Sequence, residues 1–321
     1  MIRYLSTLGQ RRRVYPRVWL FSLDQMKGNA MTPAQRLREL LADSKMIIAP
    51  GAYDALSARM VEQAGFDVVL IAGGTYSNFH YGIPDNGFIS QNELLEAGRR
   101  ITAVTDLPLV LDFDDAGGSP LQAYRGVQLA EQAGIAALLI EDMIPATKHF
   151  WTRKDGGERW KPKLKLRSIE EMSDLIRACA EARKTPDMVI VARSDAIGVG
   201  GFDDLTERMA AYSAAGADML YPCGFPLLDL PKLTSIVPGK YVMVTVRNPT
   251  IEHRAELEAA GVKMLLVINT VNGAVAGFRE NLERVSRGEL LEGERGGAYV
   301  PIMEAIDAHE WARKARHYGY S

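Results

Sequence analysis

Cysteine is scarce in the 321 residues: there are two, Cys179 and Cys223, 44 positions apart and in no CxxC pair. That excludes a disulfide framework and a structural zinc site, and suits a reducing compartment. Neither sign of charge is in excess, since 38 Lys and Arg against 40 Asp and Glu leave a formal net charge of −2. Nucleic-acid binding, which leaves a basic footprint, is therefore unsupported. No apolar run reaches the roughly 18 residues of a membrane span. What is present, 47% hydrophobic and 24% charged residues, excludes a disordered or collagen-like chain.

The first thirty residues differ from the rest. Arg3, Arg11, Arg12, Arg13, Arg17 and Lys27 face a single acid, Asp24. Residues 1–30 read as an N-terminal extension upstream of a start at Met31, as an arginine-rich mitochondrial-type targeting segment, or as a functional arm. The expected compartment is the cytoplasm, or the mitochondrial matrix if the segment is a transit peptide. Beyond it, Thr32 as N-cap and Pro33 at the first helical position are expected to start a helix.

A unit then recurs: a helical tail, Ala-Gly, and an apolar run. It occurs at Ala64-Gly65 before 67–72, Ala133-Gly134 before 136–140, Ala215-Gly216 before 217–221, and Ala260-Gly261 before 262–268. A glycine just past a helix takes the left-handed conformation that ends it. The apolar runs do not alternate, so they read as strands buried on both faces. Four more runs, at 46–49, 109–111, 188–192 and 241–244, bring the strands to eight. Helical patterns lie between them, one opening with Ser168 and Glu171 at capping-box spacing. Eight strands alternating with helices over residues 45–285 predict a (β/α)8 TIM-type barrel. An open doubly wound sheet fits less well, because Pro50-Gly51-Ala52-Tyr53-Asp54 stands where its glycine-rich phosphate turn belongs. The expected organisation is a catalytic barrel over 31–285 and a C-terminal helical appendage over 286–321. The appendage carries Ile302, Ala305, Ile306 and Trp311 at helical spacing, and is to pack on its own barrel or a neighbouring subunit.

Barrel chemistry sits at the C-terminal ends of strands. There the sequence places Asp85, Asp112, Asp114, Asp115, Glu141, Asp142 and Asp195, with Arg193 among them. Like charges so crowded resist ionisation together, and a hard divalent cation relieves them. Magnesium takes only one or two carboxylates directly and keeps several waters. Asp112 and Glu141, from adjacent strands, are expected to reach one ion. Taken singly, each of these acids has a plainer use as a helix cap or turn residue.

Pro50 through Arg59, Gly82-Ile83-Pro84-Asp85, Asp112-Phe113-Asp114, Ile140-Glu141-Asp142 and Ala192-Arg193-Ser194-Asp195 resemble, in order and spacing, the isocitrate lyase/phosphoenolpyruvate mutase superfamily over residues 33–285. Thr245-Val246-Arg247-Asn248-Pro249 and Ile71-Ala72-Gly73-Gly74 look most like its oxaloacetate decarboxylase branch. The resemblance implies Mg2+, or Mn2+ in its place, bound directly by Asp112, while Asp114 and Glu141 hold its waters and Asp85 lies near metal and substrate. It implies that Arg193 pairs with a substrate carboxylate, that the backbone N–H groups of Gly73, Gly74 and Thr75 hold the other end, and that Tyr53 and Asp54 line the pocket. It also implies a homotetramer with exchanged C-terminal helices.

The chain departs from the family in places. The lyases' Lys-Lys-Cys-Gly-His loop is replaced by 145–151 without cysteine, which counts against isocitrate or methylisocitrate lyase activity. The mutase's loop residues are missing too. Asp115-Ala116-Gly117-Gly118 replaces a Thr-Gly-Tyr-Gly run. Cys223 stands for a glutamate after strand six, and Asn269 for the decarboxylases' histidine after strand eight. Arg247 and Asn269 are candidate substrate contacts, and His149, in a basic aromatic segment after strand four, sits on a candidate lid. His80 is a candidate for the pocket wall. Cys179, Cys223, His253, His309 and His317 read as structural. The expected activity is a Mg2+-dependent carbon–carbon lyase acting on a small 2-oxo or 2-hydroxy carboxylate, oxaloacetate decarboxylation above all. Water, His149 or Tyr53 would supply the proton. Phosphonate chemistry and a barrel kept only for binding are the alternatives.

Overall fold

The computed structural model describes residues 31–148, 164–245, 251–289 and 300–320; residues 1–30 lie outside this set. All described elements belong to the unit Thr32–Ser321. Eight parallel strands close a barrel in sequence order, β1 pairing with both β2 and β8. They are β1 (Ile47–Ala52), β2 (Val69–Ile71), β3 (Leu109–Asp112), β4 (Ala137–Glu141), β5 (Val189–Ser194), β6 (Met219–Pro222), β7 (Tyr241–Thr245) and β8 (Val262–Val267). The helices are α1 (Pro33–Ala42), α2 (Ala55–Gln63), α3 (Gly73–Tyr76), α4 (Gln91–Thr102), α5 (Pro120–Gln132), α6 (Ile169–Ala182), α7 (Gly201–Ala214), α8 (Leu230–Thr234), α9 (Ile251–Ala259), α10 (Thr270–Ser286), α11 (Val300–Ala305) and α12 (Ala308–His317).

The expected (β/α)8 barrel is present, with a helical C-terminal part. The four repeated glycines, Gly65, Gly134, Gly216 and Gly261, all have left-handed φ between 73° and 109°. Thr32 caps α1 in a capping box closed by Gln35, and Ser168 caps α6 in one closed by Glu171. One boundary differs from expectation. Pro50, Gly51 and Ala52 belong to β1, where Pro50 lies opposite Val267 and Gly51 opposite Leu70. The ladders on both sides hold them extended.

Both strand faces are buried, which is why the runs do not alternate. Leu70, Val110, Leu139, Val191, Val242 and Leu266 fill the barrel interior. Val69, Ile71, Leu111, Leu138, Ile140 and Ile190 pack under the helices. Helix α1 adds Leu37 and Leu41 to the interior cluster. Its Arg38 bonds the Asp187 and Met188 carbonyls and Asp218, ahead of β5 and β6. It therefore sits at the N-terminal mouth and leaves the opposite mouth for chemistry. In the appendage, Ala305 is buried and its carbonyl accepts from Gln63 on α2, whereas Trp311 is exposed. No helix among the described residues is long and apolar enough to cross a membrane.

Candidate active site

Strand register assembles the site. Asp112 ends β3, Glu141 ends β4, and Glu141 lies level with Arg193 on β5. Asp112 is 9% exposed. Its Oδ2 accepts the Gly73 N–H at 3.1 Å, while its Oδ1 is buried without a hydrogen-bond partner. Two residues on, Asp114 has φ +47°, a left-handed conformation that a short polar side chain tolerates better than most. The Asp114 carbonyl accepts the Glu141 N–H at 2.9 Å, which ties the turn after β3 to the end of β4.

The centre of the acidic cluster is a residue that sequence reasoning passed over. Lys148 Nζ lies 2.5 Å from Asp114 Oδ1, 2.8 Å from Glu141 Oε1 and 3.2 Å from Asp85 Oδ1, with its side chain 6% exposed. It is carried there by a short helical turn, Pro145–Thr147, in a loop whose base is closed by an antiparallel bridge between Met143 and Leu166. The only signal in the sequence was a lysine opening the basic aromatic segment after strand four, in which His149 rather than Lys148 was the candidate.

Glu141 is fully enclosed, with Lys148 on one oxygen and Arg193 at 3.0 Å from the other, yet neither approach has hydrogen-bonding angles. Burial pushes its carboxyl up to about 8, against the pull of Arg193 and Lys148. Burial likewise raises Asp114 to about 6, with Lys148 pulling the other way and Asp112 and Asp85 reinforcing the rise. Burial also acts to lower Lys148, but the four acids outweigh it and hold the ammonium protonated. Both shifts favour the protonated form: a neutral carboxyl on Glu141 and a charged Lys148. The charged ammonium is the form the geometry supports, because a neutral amine would leave Asp85 and Asp114 unmatched.

Three of the seven rim acids turn elsewhere. Asp115 pairs with Arg167 at 2.6 Å. Asp142 is buried and accepts from Ser194 Oγ, Tyr212 Oη and Arg208 Nη1 at 2.6, 2.9 and 3.2 Å. Asp195 holds the Arg193 fork, at 2.9 Å to Nε and 3.2 Å to Nη2. Arg193 therefore spends two of its five N–H donors on Asp195 and turns Nη1 toward Glu141 as an ion pair. Its guanidinium also stands 5.6 Å over the Tyr221 ring.

Other expected site residues have specific partners. The Gly73 N–H is spent on Asp112, so only Gly74 and Thr75 remain of the three expected backbone donors. Gly74 faces Asp85 so closely that a Cβ there would lie 2.9 Å from Asp85 Oδ2. Asp54 caps α2, accepting from Ser57 N–H at 2.7 Å and Ser57 Oγ at 2.8 Å, so its carboxylate serves the helix. Tyr53 stacks on Phe79 with ring centroids 4.1 Å apart, and burial raises its phenol. Asn269 precedes α10 and accepts from Asn272 at 3.2 Å. Cys223 follows β6, and burial pushes its thiol up to about 12, so it is no ready nucleophile. His80 packs on Tyr76 and lines a separate 350 Å³ cavity with Tyr81, Glu93, Glu96 and Arg100. His149 and Arg247 lie outside the described residues.

A cavity of about 260 Å³ borders the site, lined by Gly87, Gln91, Phe113, Asp114, Asp115 and Pro145 among others. Asp112, Glu141 and Arg193 do not line it. Among the described residues no group of three or more His, Cys, Asp or Glu is placed to ligate one ion together. The donor set still fits a hard cation that takes few carboxylates directly. Asp112 Oδ1 and both Glu141 oxygens are buried without hydrogen bonds, and acids as crowded as these need a counter-charge.

The family model described as phosphoenolpyruvate phosphomutase matches residues 37–285. Oxaloacetate decarboxylase from Chromohalobacter salexigens is 34% identical over 300 residues, covering 88% of this chain and 97% of that protein. 2,3-Dimethylmalate lyase from Eubacterium barkeri is 33% identical over 240 residues, covering 72% and 78%. Among solved structures, phosphonopyruvate hydrolase in complex with oxalate and Mg2+ superposes with a TM-score of 0.75 at 25% identity, covering 91% of this chain and 100% of that one.

Proposed function

The chain belongs to the phosphoenolpyruvate mutase/isocitrate lyase superfamily, and on that premise we propose that it is a Mg2+-dependent carbon–carbon lyase of a small 2-oxo or 2-hydroxy carboxylate, with oxaloacetate decarboxylation to pyruvate and CO2 as its reaction. Its named relatives include lyases and decarboxylases of small carboxylic acids. The observation that carries the reading is the buried, unpartnered Asp112 Oδ1 beside Asp114 and Glu141 at the catalytic mouth. Asp112 would hold the ion directly, and Asp114 and Glu141 would hold its waters. Mn2+ would serve in place of Mg2+. Bound there, the ion supplies Lewis-acid polarisation of a substrate oxygen.

The protein's own groups position the rest. The N–H groups of Arg193 that Asp195 leaves over suit a carboxylate, for which a guanidinium is well shaped. The Gly74 and Thr75 N–H groups hold the opposite end, preorganised by α3. When the carboxyl group on C3 leaves as CO2, the electron pair of the broken bond passes into the enolate of pyruvate. A proton must then be added at C3. Tyr53, kept protonated by burial, is a donor of suitable chemistry, with water or His149 as the others. Asp85, against Gly74 and Lys148, borders the same space.

A homotetramer is part of the proposal. Val275, Phe278, Leu282 and Val285 form an exposed apolar stripe on α10, the kind of face a second copy covers. The reading places the protein in the cytoplasm, or in the mitochondrial matrix if residues 1–30 direct it there.

The test is a pyruvate-release screen over oxaloacetate, substituted malates and citrates with Mg2+, with Asp112→Ala as control. Oxaloacetate turnover lost in Asp112→Ala is the expected result, and full activity in that variant would overturn the metal assignment. Phosphonate chemistry is the second reading, favoured by the match to the phosphomutase family model. Turnover of phosphonopyruvate seen by phosphorus NMR, without oxaloacetate turnover, would select it. Absence of Mg2+ binding by calorimetry, with turnover of neither substrate class, would favour a barrel kept only for binding.

A further inference from the structure

We propose that Lys148 is an internal counter-ion that occupies the acidic cluster in the metal-free protein and competes with the divalent cation for it. The inference rests on the metal reading above and adds a residue which that reading does not use.

The geometry is that of a cation site filled by an ammonium. Nζ lies within ion-pair reach of three acids, Asp114, Glu141 and Asp85, at 2.5, 2.8 and 3.2 Å, and donates hydrogen bonds to Asp114 and Asp85. Nothing is left for Asp112, whose Oδ1 stays buried and unpartnered. One positive charge thus faces four carboxyl groups, with Arg193 shared between Glu141 and Asp195 and Arg167 committed to Asp115. The ammonium relieves the cluster only in part. A divalent ion brings twice the charge and more coordination positions, and two cations cannot share so small a space without strong repulsion.

The backbone supports the same role. The Lys148 N–H donates to the Pro145 carbonyl at 3.1 Å, and its carbonyl accepts from buried Asn86 Nδ2 at 3.0 Å. Pro145 in turn packs against Gly87, where a Cβ would lie 2.3 Å from Pro145 Cβ. These contacts fix the backbone that delivers the ammonium to the cluster. Asp112 would take the metal first, being the acid the lysine leaves unserved, and the ion would then displace Nζ from Asp114 and Glu141.

The experiment uses the full chain stripped of metal, with Mn2+ as the probe, bound Mn2+ being read by electron paramagnetic resonance. Lys148→Gln should bind Mn2+ about tenfold more tightly than the wild type or better, since no ion pair has to be broken first. It should also melt lower than the wild type without metal. Lys148→Arg, which keeps the charge, should not bind more tightly than the wild type. In the wild type, which needs no variant to fold, saturating Mn2+ should speed amide exchange at Ile144–Lys148 by about threefold or more as the anchor is released. Unchanged or weaker Mn2+ binding by Lys148→Gln, or slower exchange at Ile144–Lys148 with metal, would overturn the inference. If the wild type binds Mn2+ and Asp112→Ala does not, such a failure sinks the counter-ion alone. If the wild type itself binds no Mn2+, the metal reading and the counter-ion fall together.

Discussion

Asp142 separates a structural acid from a catalytic one, and replacing it with alanine gives a large, specific cost. Its side chain is fully buried and accepts from Ser194 Oγ, Tyr212 Oη and Arg208 Nη1 on one oxygen and from the Asp195 N–H at 3.3 Å on the other. Asp142→Ala leaves two hydroxyls and part of a guanidinium facing an empty space. Arg208 keeps Asp204 at 2.9 Å and the Arg167 carbonyl at 2.8 Å, so its charge is not wholly abandoned. Removing one partner of a buried ion pair costs about 3–5 kcal/mol, and the retained Asp204 contact places Asp142→Ala at the lower end. Asp115→Ala is the internal control. Its pair with Arg167 keeps both side chains between 17% and 18% exposed, and about 1 kcal/mol is expected there. Urea unfolding followed by circular dichroism, with the slope unchanged, measures both. A loss below about 1 kcal/mol for Asp142→Ala, or one no larger than for Asp115→Ala, would refute the structural reading of this acid.

Glu141 makes the metal-free protein sensitive to alkali. Its carboxyl is raised from 4.5 to about 8 on folding, so the folded state binds the extra proton between those values and stability falls as pH rises through that window. Melting temperature with EDTA should decline on going from about pH 5 to pH 9, and Glu141→Gln should flatten the curve; parallel curves for the two proteins would contradict the assignment. Gly74→Ala should leave the fold intact, because the atoms it meets belong to Asp85, whose side chain is 41% exposed and can shift. Turnover should fall by about a hundredfold, the effect expected of a displacement near 1 Å at a reacting centre; unchanged kcat/KM with the melting temperature retained would show that Asp85 and the Gly74 N–H lie outside the site.

The sequence alone determined what depends on neighbours along the chain. Thr32-Pro33 and Ser168 with Glu171 start helices by bonds spanning three residues, and Gly65, Gly134, Gly216 and Gly261 end them through their own backbone freedom. Those signals, with apolar runs too uniform for a one-sided sheet, are enough to count eight strands and close a barrel. They also bring Asp112, Asp114, Glu141 and Arg193 to one rim, because strand ends in a parallel barrel share a face. Which of the rim acids meet one another was decided only in three dimensions. Asp54 turned to its own helix, Asp115 to Arg167 and Asp142 to Tyr212 and Arg208, since each carboxylate settles on the donor that burial brings nearest. Lys148 shows the limit most plainly. It lies 63 residues from Asp85 and 34 from Asp114 in sequence, and only the Pro145–Thr147 turn that carries it in among the acids makes this lysine the charge at the centre of the site.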